Sequence, residues 1–367
     1  MPVYKVLVVD DSVFMRRIIS DLVEELPQFQ VIGTARNGAE AVELALSLKP
    51  DVITMDVEMP VMNGIEAVRK IMKTRPTPIV MLSSLTKDGA DETIQALEYG
   101  AVDFVQKPSG SISLDLFKVK QTLWDKLMAA AVSKPASPVK LPAVPGERAV
   151  TGREKGVNRT TSGSSFQPFH PAAFRHLVAI GTSTGGPRAL QQVLTRLPAD
   201  FAAPIAIVQH MPPKFTLSLA KRLDAASNIR VVEGEDGMFL EAGVAYIAPG
   251  GWHMTVVRDR DNRYRLQLGK GEPRSGHRPS VDVLFESVAK LNELTRHAVI
   301  MTGMGSDGAK GMKLLKECGA ATTIAEAEET CIVYGMPRAA CQLGAVDSSL
   351  PLPSISDKLI QVVMANR

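Results

Sequence analysis

The sequence has few cysteines and no long hydrophobic run. Only three cysteines, Cys318, Cys331 and Cys341, occur among the 367 residues, and none forms a Cys-x-x-Cys pair. This pattern excludes a disulfide framework and argues against a zinc site. No stretch of 18 apolar residues is present, so no membrane insertion is expected. The start shows no signal-peptide pattern, and a reducing cytoplasm is the expected location.

The excess of positive charge is small and is confined to one segment. The whole chain carries a formal charge of +3, whereas residues 133–170 contain six Lys or Arg against two Glu, a net of +4. The same segment holds five prolines and little apolar periodicity. We therefore expect a flexible basic linker over residues 131–172 between two domains, 1–130 and 173–367. The rest of the chain offers no basic face for nucleic acid.

Before the linker, apolar β-branched runs alternate with helical patterns. The expected strands cover 3–10, 30–35, 51–56, 78–84 and 103–107, and the expected helices cover 12–26, 39–48, 65–72, 91–99 and 113–130. Strands separated by crossover helices predict a parallel α/β sheet with helices on both faces. In such sheets ligands bind at the carboxyl ends of the strands.

Acidic residues follow the first and third of these strands. Asp10 and Asp11 end the first strand and Asp56 ends the third, while Ser83 and Lys107 end the fourth and fifth. Three carboxylates at one sheet edge repel one another unless a hard cation lies among them, and Mg²⁺ prefers such oxygen ligands. A single aspartate after a strand is often only a loop or N-cap residue. Five polar side chains at one edge favour a site.

The motifs VVDDS, MDVEMPVMNG, LSS and DFVQKP at these strand ends resemble the receiver domain of two-component response regulators. The resemblance implies a flavodoxin-like (βα)5 fold in which Asp56 accepts a phosphoryl group from a chemotaxis histidine kinase. It implies Mg²⁺ held by Asp10, Asp11 and Asp56, with the backbone carbonyl of Glu58 completing the site. It also implies that Ser83 and Lys107 bind phosphoryl oxygens. Phe104 takes the aromatic switch position, for which the alternative is a core aromatic.

After the linker the pattern is again α/β. Strands are expected over 176–181, 201–210, 230–235, 244–250, 255–259, 264–269, 297–303 and 322–329, and helices over 215–223, 280–291, 309–317 and 336–343, with another after the turn at 181–186. The spacing predicts a doubly wound, mostly parallel sheet with some antiparallel strands. The antiparallel part includes a hairpin across Asp261 and Asn262.

The turn GTSTGG at 181–186 contains the Gly-x-Ser-x-Gly pattern that exposes a serine between a strand and a helix. Two alternatives stay open. A phosphate-binding loop is disfavoured because Pro187 and Arg188 stand where Lys and Ser or Thr are required. Ser183 or Thr184 would otherwise serve only as a helix N-cap.

His210 and Asp307 follow two other strands of this domain. His210 is the histidine that lies just past a long apolar strand, and Asp307 lies in the loop MTGMGSDG. A serine hydroxyl needs an imidazole to take its proton and a carboxylate to orient that imidazole. Taken singly, the histidine is more often structural and the aspartate is a good N-cap. His277, in a polar loop, is a second choice for a substrate contact.

The motifs IGTSTGGP, QHMP, MTGMGSDGA and HRPSVDVLF, in the order Ser, His, Asp, resemble the catalytic domain of chemotaxis protein-glutamate methylesterases. The resemblance implies Ser183 as nucleophile, His210 as general base and Asp307 as the acid that orients it. Backbone N–H groups of Met304 and Thr184 would form the oxyanion hole. The substrates would be methyl-accepting chemoreceptors, whose glutamate methyl esters release methanol and whose glutamines release ammonia. No cofactor is implied in this domain.

Two other functions are alternatives to this one. A response regulator with a DNA-binding or adaptor output would need a compact basic reading face, which the second half lacks. An esterase of the same family in a non-chemotaxis pathway would share the same catalytic residues. For either esterase, we expect the unphosphorylated receiver to pack over the catalytic residues and block large substrates.

Overall fold

The computed structural model describes residues 3–84, 86–107, 112–133 and 174–365. Residues 134–172 of the predicted linker lie outside these ranges. None of the helices within them is long and apolar enough to span a bilayer.

The first domain is a parallel sheet covered by helices on both faces. Its strands lie in the order β2-β1-β3-β4-β5, and every pairing between them is parallel. This arrangement confirms the predicted flavodoxin-like fold. The elements are β1 (Tyr4–Val9), α1 (Val13–Glu24), β2 (Phe29–Ala35), α2 (Gly38–Leu48), β3 (Val52–Asp56), α3 (Gly64–Thr74), β4 (Ile79–Ser83), α4 (Lys87–Glu98), β5 (Asp103–Gln106) and α5 (Ile112–Val132).

Short polar side chains start the helices of this domain. The oxygens of Ser12, Asn37, Asn63 and Thr86 accept hydrogen bonds from backbone N–H groups in the first turns of α1 to α4, which stabilises each start. The predicted start of the fourth helix at residue 91 was wrong by four residues. Thr86 caps α4 by accepting from the Gly89 N–H at 2.9 Å. The polar first turn has no apolar periodicity and so concealed the start.

The second domain has seven parallel strands in the order β14-β13-β12-β6-β7-β9-β8. The antiparallel part is a separate two-stranded sheet, β10-β11, joined by the predicted hairpin. The elements are β6 (His176–Thr182), α6 (Gly186–Leu194), β7 (Ile205–Gln209), α7 (Phe215–Ala226), β8 (Arg230–Glu233), β9 (Val244–Ile247), β10 (His253–Arg258), β11 (Tyr264–Gly269), α8 (Val281–Ala289), β12 (Thr295–Ile300), α9 (Ala309–Glu317), β13 (Thr322–Glu326), α10 (Met336–Gln342), β14 (Ser348–Leu350) and α11 (Leu352–Met364).

Three predictions for this domain need correction. The strand expected over 201–210 begins only at Ile205, directly after Pro204, which cannot donate to a strand ladder. The strand expected over 322–329 ends at Glu326, where the chain turns. β14 and α11 were missed altogether. β14 has three residues, too few for a period, and its position at the sheet edge depends on the fold around it.

Helices cover the two faces of the large sheet in separate groups. The helices α6, α7 and α11 bury apolar residues against one face, and α8, α9 and α10 do so against the other. The first domain packs on the former group, where α4 contacts α6 and α7. The strands β12, β6 and β7 are neighbours in this parallel sheet, so their carboxyl ends meet at one edge.

Gly181 allows α8 to approach the sheet closely. A Cβ at this position would lie 2.2 Å from Cγ1 of Val281, much closer than van der Waals contact. We expect Gly181→Ala to destabilise the domain by about 1–3 kcal/mol through overpacking, and to lower the midpoint of thermal unfolding by about 5 °C.

The double variant Gly181→Ala, Val281→Ala should be less destabilised than the sum of the two single variants, because the shortened side chain makes room for the new methyl group. Gly269→Ala is the matched control, since nothing lies within 4 Å of a Cβ built there. Calorimetry of the full chain measures all four. Strict additivity of the two changes would contradict this packing.

Candidate active site and phosphorylation site

The turn after β6 presents Ser183 at the edge of the large sheet. Gly185 has a φ of 79°, in the left-handed region, and α6 begins at Gly186 without a side-chain cap. Neither Ser183 nor Thr184 is therefore the helix N-cap. The Ser183 N–H donates to the Thr302 carbonyl at 3.0 Å, and the Gln209 amide donates to the Ser183 carbonyl at 2.9 Å. The turn is thus held from both neighbouring strands.

His210 and Asp307, which are 97 positions apart in sequence, meet at this turn. Nε2 of His210 lies 2.8 Å from Oδ2 of Asp307. The histidine backbone N–H donates to the carbonyl of Thr182, next to Ser183. Nδ1 of His210 is buried and has no hydrogen-bond partner in the described part of the chain. The ring therefore has one nitrogen engaged by the carboxylate and the other available.

The carboxylate of Asp307 lies at the amino end of α8. It accepts from Ser280 Oγ at 2.8 Å, from the Val281 N–H at 2.7 Å and from the Asp282 N–H at 3.1 Å. Burial by itself raises the pKa of Asp307, but these bonds and the one from His210 outweigh it and lower the pKa to about 2. The carboxylate is thus held as an anion.

Asp307 is not an N-cap either. The N-cap of α9 is Gly308, which has no side-chain bond. The structural alternatives for Ser183, Thr184 and Asp307 as helix caps are thereby ruled out.

The loop that follows β12 lies against the serine turn. A Cβ at Gly303 would come within 2.8 Å of the Ser183 Cβ, so only glycine permits this approach. Met304 is exposed. The N–H groups of Met304 and Thr184 donate to no acceptor among residues 3–84, 86–107, 112–133 and 174–365. Two donors are thus left beside the serine.

His277 lies on the face of the His210 ring. The two ring centroids are 3.8 Å apart with an interplanar angle of 8°. Burial, followed by the proximity of His210, lowers the pKa of His277 to about 4. An uncharged imidazole therefore stacks on His210. The prediction of a substrate contact stays a prediction.

Several residues that hold the site in place were not singled out from the sequence. Ser280 and Asp282 flank the amino end of α8, and the backbone of Asp282 together with the hydroxyl of Ser280 binds Asp307. Thr302 accepts from Ser183 and is itself bound through its N–H by Glu326 at 2.8 Å. The motif HRPSVDVLF includes Ser280 and Asp282. A serine before an apolar helical run signals an N-cap, and this signal could have identified Ser280. Nothing local marks Glu326.

In the first domain, Asp10, Asp11 and Asp56 place a carboxylate oxygen each within 4.8 Å of one another. Nζ of Lys107 lies 2.7 Å from Asp10 and 2.8 Å from Asp56. Burial raises the pKa of Asp56 to about 6, although Lys107 lowers it. Three acidic side chains with one lysine leave excess negative charge in a mostly buried place, and their hard oxygens suit a divalent cation such as Mg²⁺.

The side chains of two other residues of the predicted phosphorylation site make hydrogen bonds to other groups. Ser83 Oγ donates to the Gly89 carbonyl at 3.1 Å and accepts from Thr93 at 2.6 Å, so it faces α4 and makes no described bond to Asp56. The carboxylate of Glu58 accepts from the Ser84 hydroxyl at 3.3 Å. Both roles remain predictions.

The first domain contacts the second through Asp103 and Phe104. Oδ2 of Asp103 accepts from the Thr184 hydroxyl at 2.5 Å. The ring of Phe104 stacks on Phe215 at a centroid distance of 4.4 Å. Phe104 is therefore part of the contact between the domains, three residues before Lys107. Asp103 at the amino end of β5 thus contacts the residue next to Ser183, and Lys107 follows the carboxyl end of the same strand.

An ion pair extends this contact. Nε and Nη2 of Arg222 on α7 donate to the two carboxylate oxygens of Glu98 on α4, at 2.9 and 2.5 Å. Bidentate pairs of this kind are among the stronger polar contacts in proteins. Together with the contacts of Asp103 and Phe104, the pair joins α4 and β5 to the edge that carries Ser183.

Comparisons with known proteins agree with both domains. A family model described as CheB methylesterase matches residues 178–359, and one described as response regulator receiver domain matches residues 6–115. The protein-glutamate methylesterase/protein-glutamine glutaminase of Geobacillus kaustophilus is 52% identical over 366 residues, 99% of each chain. The protein of the same name from Bacillus subtilis is 47% identical over 364 residues, again 99% of each chain.

A solved structure supports the second domain. The crystal structure of the Thermotoga maritima CheB methylesterase catalytic domain is 43% identical, has a TM-score of 0.50, and covers 52% of this chain and 100% of its own. With relatives this similar over nearly the full length, the chain belongs to the CheB methylesterase family of hydrolases and carries a response regulator receiver domain ahead of the catalytic one.

Proposed function

We propose that this chain hydrolyses glutamate methyl esters on methyl-accepting chemoreceptors, deamidates glutamines there, and is activated by phosphorylation of Asp56. The observation that carries the proposal is the bond of Asp307 to His210 beside the Ser183 turn. It supplies an oriented base beside the turn that carries the half-buried Ser183. The relatives named above bear the corresponding activity in their names.

In the proposed reaction, Ser183 Oγ attacks the ester carbonyl carbon while Nδ1 of His210 takes the hydroxyl proton. Asp307 keeps the proton on Nε2 and stabilises the imidazolium that forms. The N–H groups of Met304 and Thr184 donate to the oxyanion. The tetrahedral species collapses, and methoxide leaves as methanol with the proton from His210.

Water then attacks the acyl-serine with His210 again acting as the base. The carbonyl carbon keeps the new oxygen, Ser183 recovers its proton, and a glutamate side chain is released. A glutamine substrate follows the same steps, and its leaving group is ammonia. His277 would hold the His210 ring in plane through stacking and line the substrate's path.

The phosphorylation chemistry belongs to the first domain. A chemotaxis histidine kinase would donate the phosphoryl group to Asp56. Asp10, Asp11 and Asp56, with the carbonyl of Glu58, would hold Mg²⁺, which supplies charge neutralisation during the transfer. Lys107 and a reoriented Ser83 would bind the phosphoryl oxygens. A phosphoryl group adds about two negative charges, which Lys107 cannot balance while it pairs with both aspartates.

We propose further that the receiver covers the nucleophile until it is phosphorylated. Asp103 and Phe104 lie on β5, the strand that ends at the phosphorylation site, and they contact Thr184 and Phe215. A shift of β5 toward a new phosphoryl group would withdraw these contacts. The relatives of the same family in non-chemotaxis pathways would share this arrangement, so the substrate has to be identified by experiment.

Ser183→Ala should reduce methanol release from methylated receptor membranes by at least about a thousandfold, because no other group replaces the nucleophile. Ser47→Ala, on the exposed face of α2, is the matched control and should retain activity. Methanol release within a few fold of the unaltered protein would remove Ser183 as the nucleophile.

Asp307→Asn should lower kcat by about ten-thousandfold, because the amide cannot hold the required tautomer of His210.

The same variant also tests the charge of the Asp307 carboxylate. The folded pKa of about 2 lies below the ordinary 3.8, so the anion stabilises the fold above about pH 4 by about 2 kcal/mol, and this stabilisation is lost as the pH falls toward 2.

The stability difference between the unaltered chain and Asp307→Asn should accordingly stay constant between about pH 8 and pH 5 and begin to shrink below about pH 4. Thermal unfolding of both proteins across that range measures it, with the exposed Asp261→Asn as control. A difference that already declines between pH 8 and pH 5 would show that the carboxylate is not held as an anion.

Glu98→Ala and Arg222→Ala should each raise the activity of the unphosphorylated protein, by about tenfold if the pair favours the closed arrangement by about 1.4 kcal/mol. The double variant should gain little beyond either single one, since both remove the same pair. Arg17→Ala, which breaks an exposed pair within α1, is the control. Unchanged basal methanol release in both single variants would count against receiver inhibition.

A further inference from the structure

One exposed face of the catalytic domain has positive charge that no described acid neutralises. The face is formed by α9 and α10, and we call it the α9–α10 face. It comprises exposed side chains that are cationic, polar or apolar: Lys310, Lys313, Leu314, Arg338, Gln342 and Leu343. No carboxylate of the described residues lies within 4.0 Å of the three cations among them.

The cations of α9 share one side of the helix. Lys310 and Lys313 are three residues apart, and Leu314 follows at the next helical step, so they form one stripe. Lys316, by contrast, is paired with Asp347 at 2.8 Å. Glu317, an exposed acid four residues after Lys313, lies at the end of the same stripe, and it makes no ion pair of 4.0 Å or less with the described lysines. The stripe therefore carries two cations and an apolar side chain, with one acid at its end.

This face borders the loop that carries Asp307. A cavity of about 480 Å³ lies elsewhere, at the opposite sheet edge, whereas a second cavity of about 300 Å³ is lined by Lys310, Leu343 and Ser306. Ser306 directly precedes Asp307. Asp282 also lines this cavity, but it is buried and accepts from the Gly311 N–H at 2.7 Å. Met304, at the mouth of the serine site, is exposed as well.

The receiver's α4 packs on α6 and α7, whereas α9 and α10 bury their apolar sides with α8 on the opposite face of the large sheet. Ile332, in the loop before α10, packs against the receiver's apolar cluster, but the side chains of the α9–α10 face are exposed. The contacts of Asp103 with Thr184 and of Glu98 with Arg222 are all on the receiver side. In the described structure the α9–α10 face thus stays exposed while Thr184 is covered.

We propose that the α9–α10 face docks the acidic, glutamate-bearing helix of the receptor substrate, and that it does so before the receiver is displaced. The inference rests on the proposed function, because every hydrolysed ester or amide leaves a carboxylate on that helix. Positive side chains flanking an apolar stripe match a helix that carries glutamates beside apolar residues. Docking and turnover are then separate events, of which phosphorylation controls the second.

The test is the double variant Lys310→Glu, Lys313→Glu in the full chain, activated by a small phosphodonor. The KM for methylated receptor membranes should rise about tenfold, because each exposed pair contributes about 0.7 kcal/mol and each reversal replaces attraction by repulsion. The value of kcat should stay within about twofold, which also shows that the variant is folded. The double variant Lys290→Glu, Lys358→Glu changes net charge equally and is the control.

A second measurement tests the order of events. Unphosphorylated protein should co-sediment with methylated receptor membranes at about 50 mM salt and much less at about 300 mM, where exposed charges are screened. The Lys310→Glu, Lys313→Glu variant should not co-sediment at either salt concentration.

Three results would overturn the proposal. A KM for the double variant equal to that of the control rules out the docking surface. Co-sedimentation of unaltered protein only after phosphodonor is added rules out docking in the closed state. No methanol release from the unaltered protein refutes the proposed function and with it the docking. A raised KM with unchanged kcat in the double variant, beside an active unaltered protein, supports the docking surface.

Discussion

The buried carboxylate of Asp307 is the constraint on which the catalytic edge depends. An anion removed from water is stable only when hydrogen bonds replace its hydration. Here α8 provides a hydroxyl and two backbone N–H groups, and His210 provides the fourth donor. Because α8 must reach the sheet edge to do this, Gly181 has to lack a side chain. One charge thereby links the helix packing to the orientation of His210, the proposed base.

The receiver contacts Thr184, the residue next to the proposed nucleophile Ser183. Its Asp103 accepts a hydrogen bond from the Thr184 hydroxyl, and its Phe104 stacks on Phe215 of α7. Since β5 is followed by Lys107, which pairs with Asp56, one short strand joins the proposed phosphorylation site to the turn that carries Ser183. The proposed coupling therefore needs no long pathway through the fold. In this proposal, movement of a few residues of β5 would change access to Ser183.

The sequence predicted the parallel sheet of each domain and the strand ends that carry polar side chains, because burial and turn chemistry are local signals. Residues such as Ser183, His210 and Asp307 followed from their positions after apolar strands. The partners of Asp307 on α8 and the bond from Glu326 to Thr302 did not, since they depend on helices and strands that meet only in the fold. The contact of Phe104 with Phe215 was likewise invisible, because a switch aromatic and a core aromatic have the same local pattern. α11 and β14 were missed because their places depend on neighbouring elements.

The central claim is that the receiver restrains an otherwise competent catalytic domain. Its most direct test is methanol release from methylated receptor membranes by three samples: full-length protein, full-length protein with a small phosphodonor, and the 173–367 fragment. The account predicts a slow rate for the first and similar, much faster rates for the second and third. Equal rates in all three would contradict it.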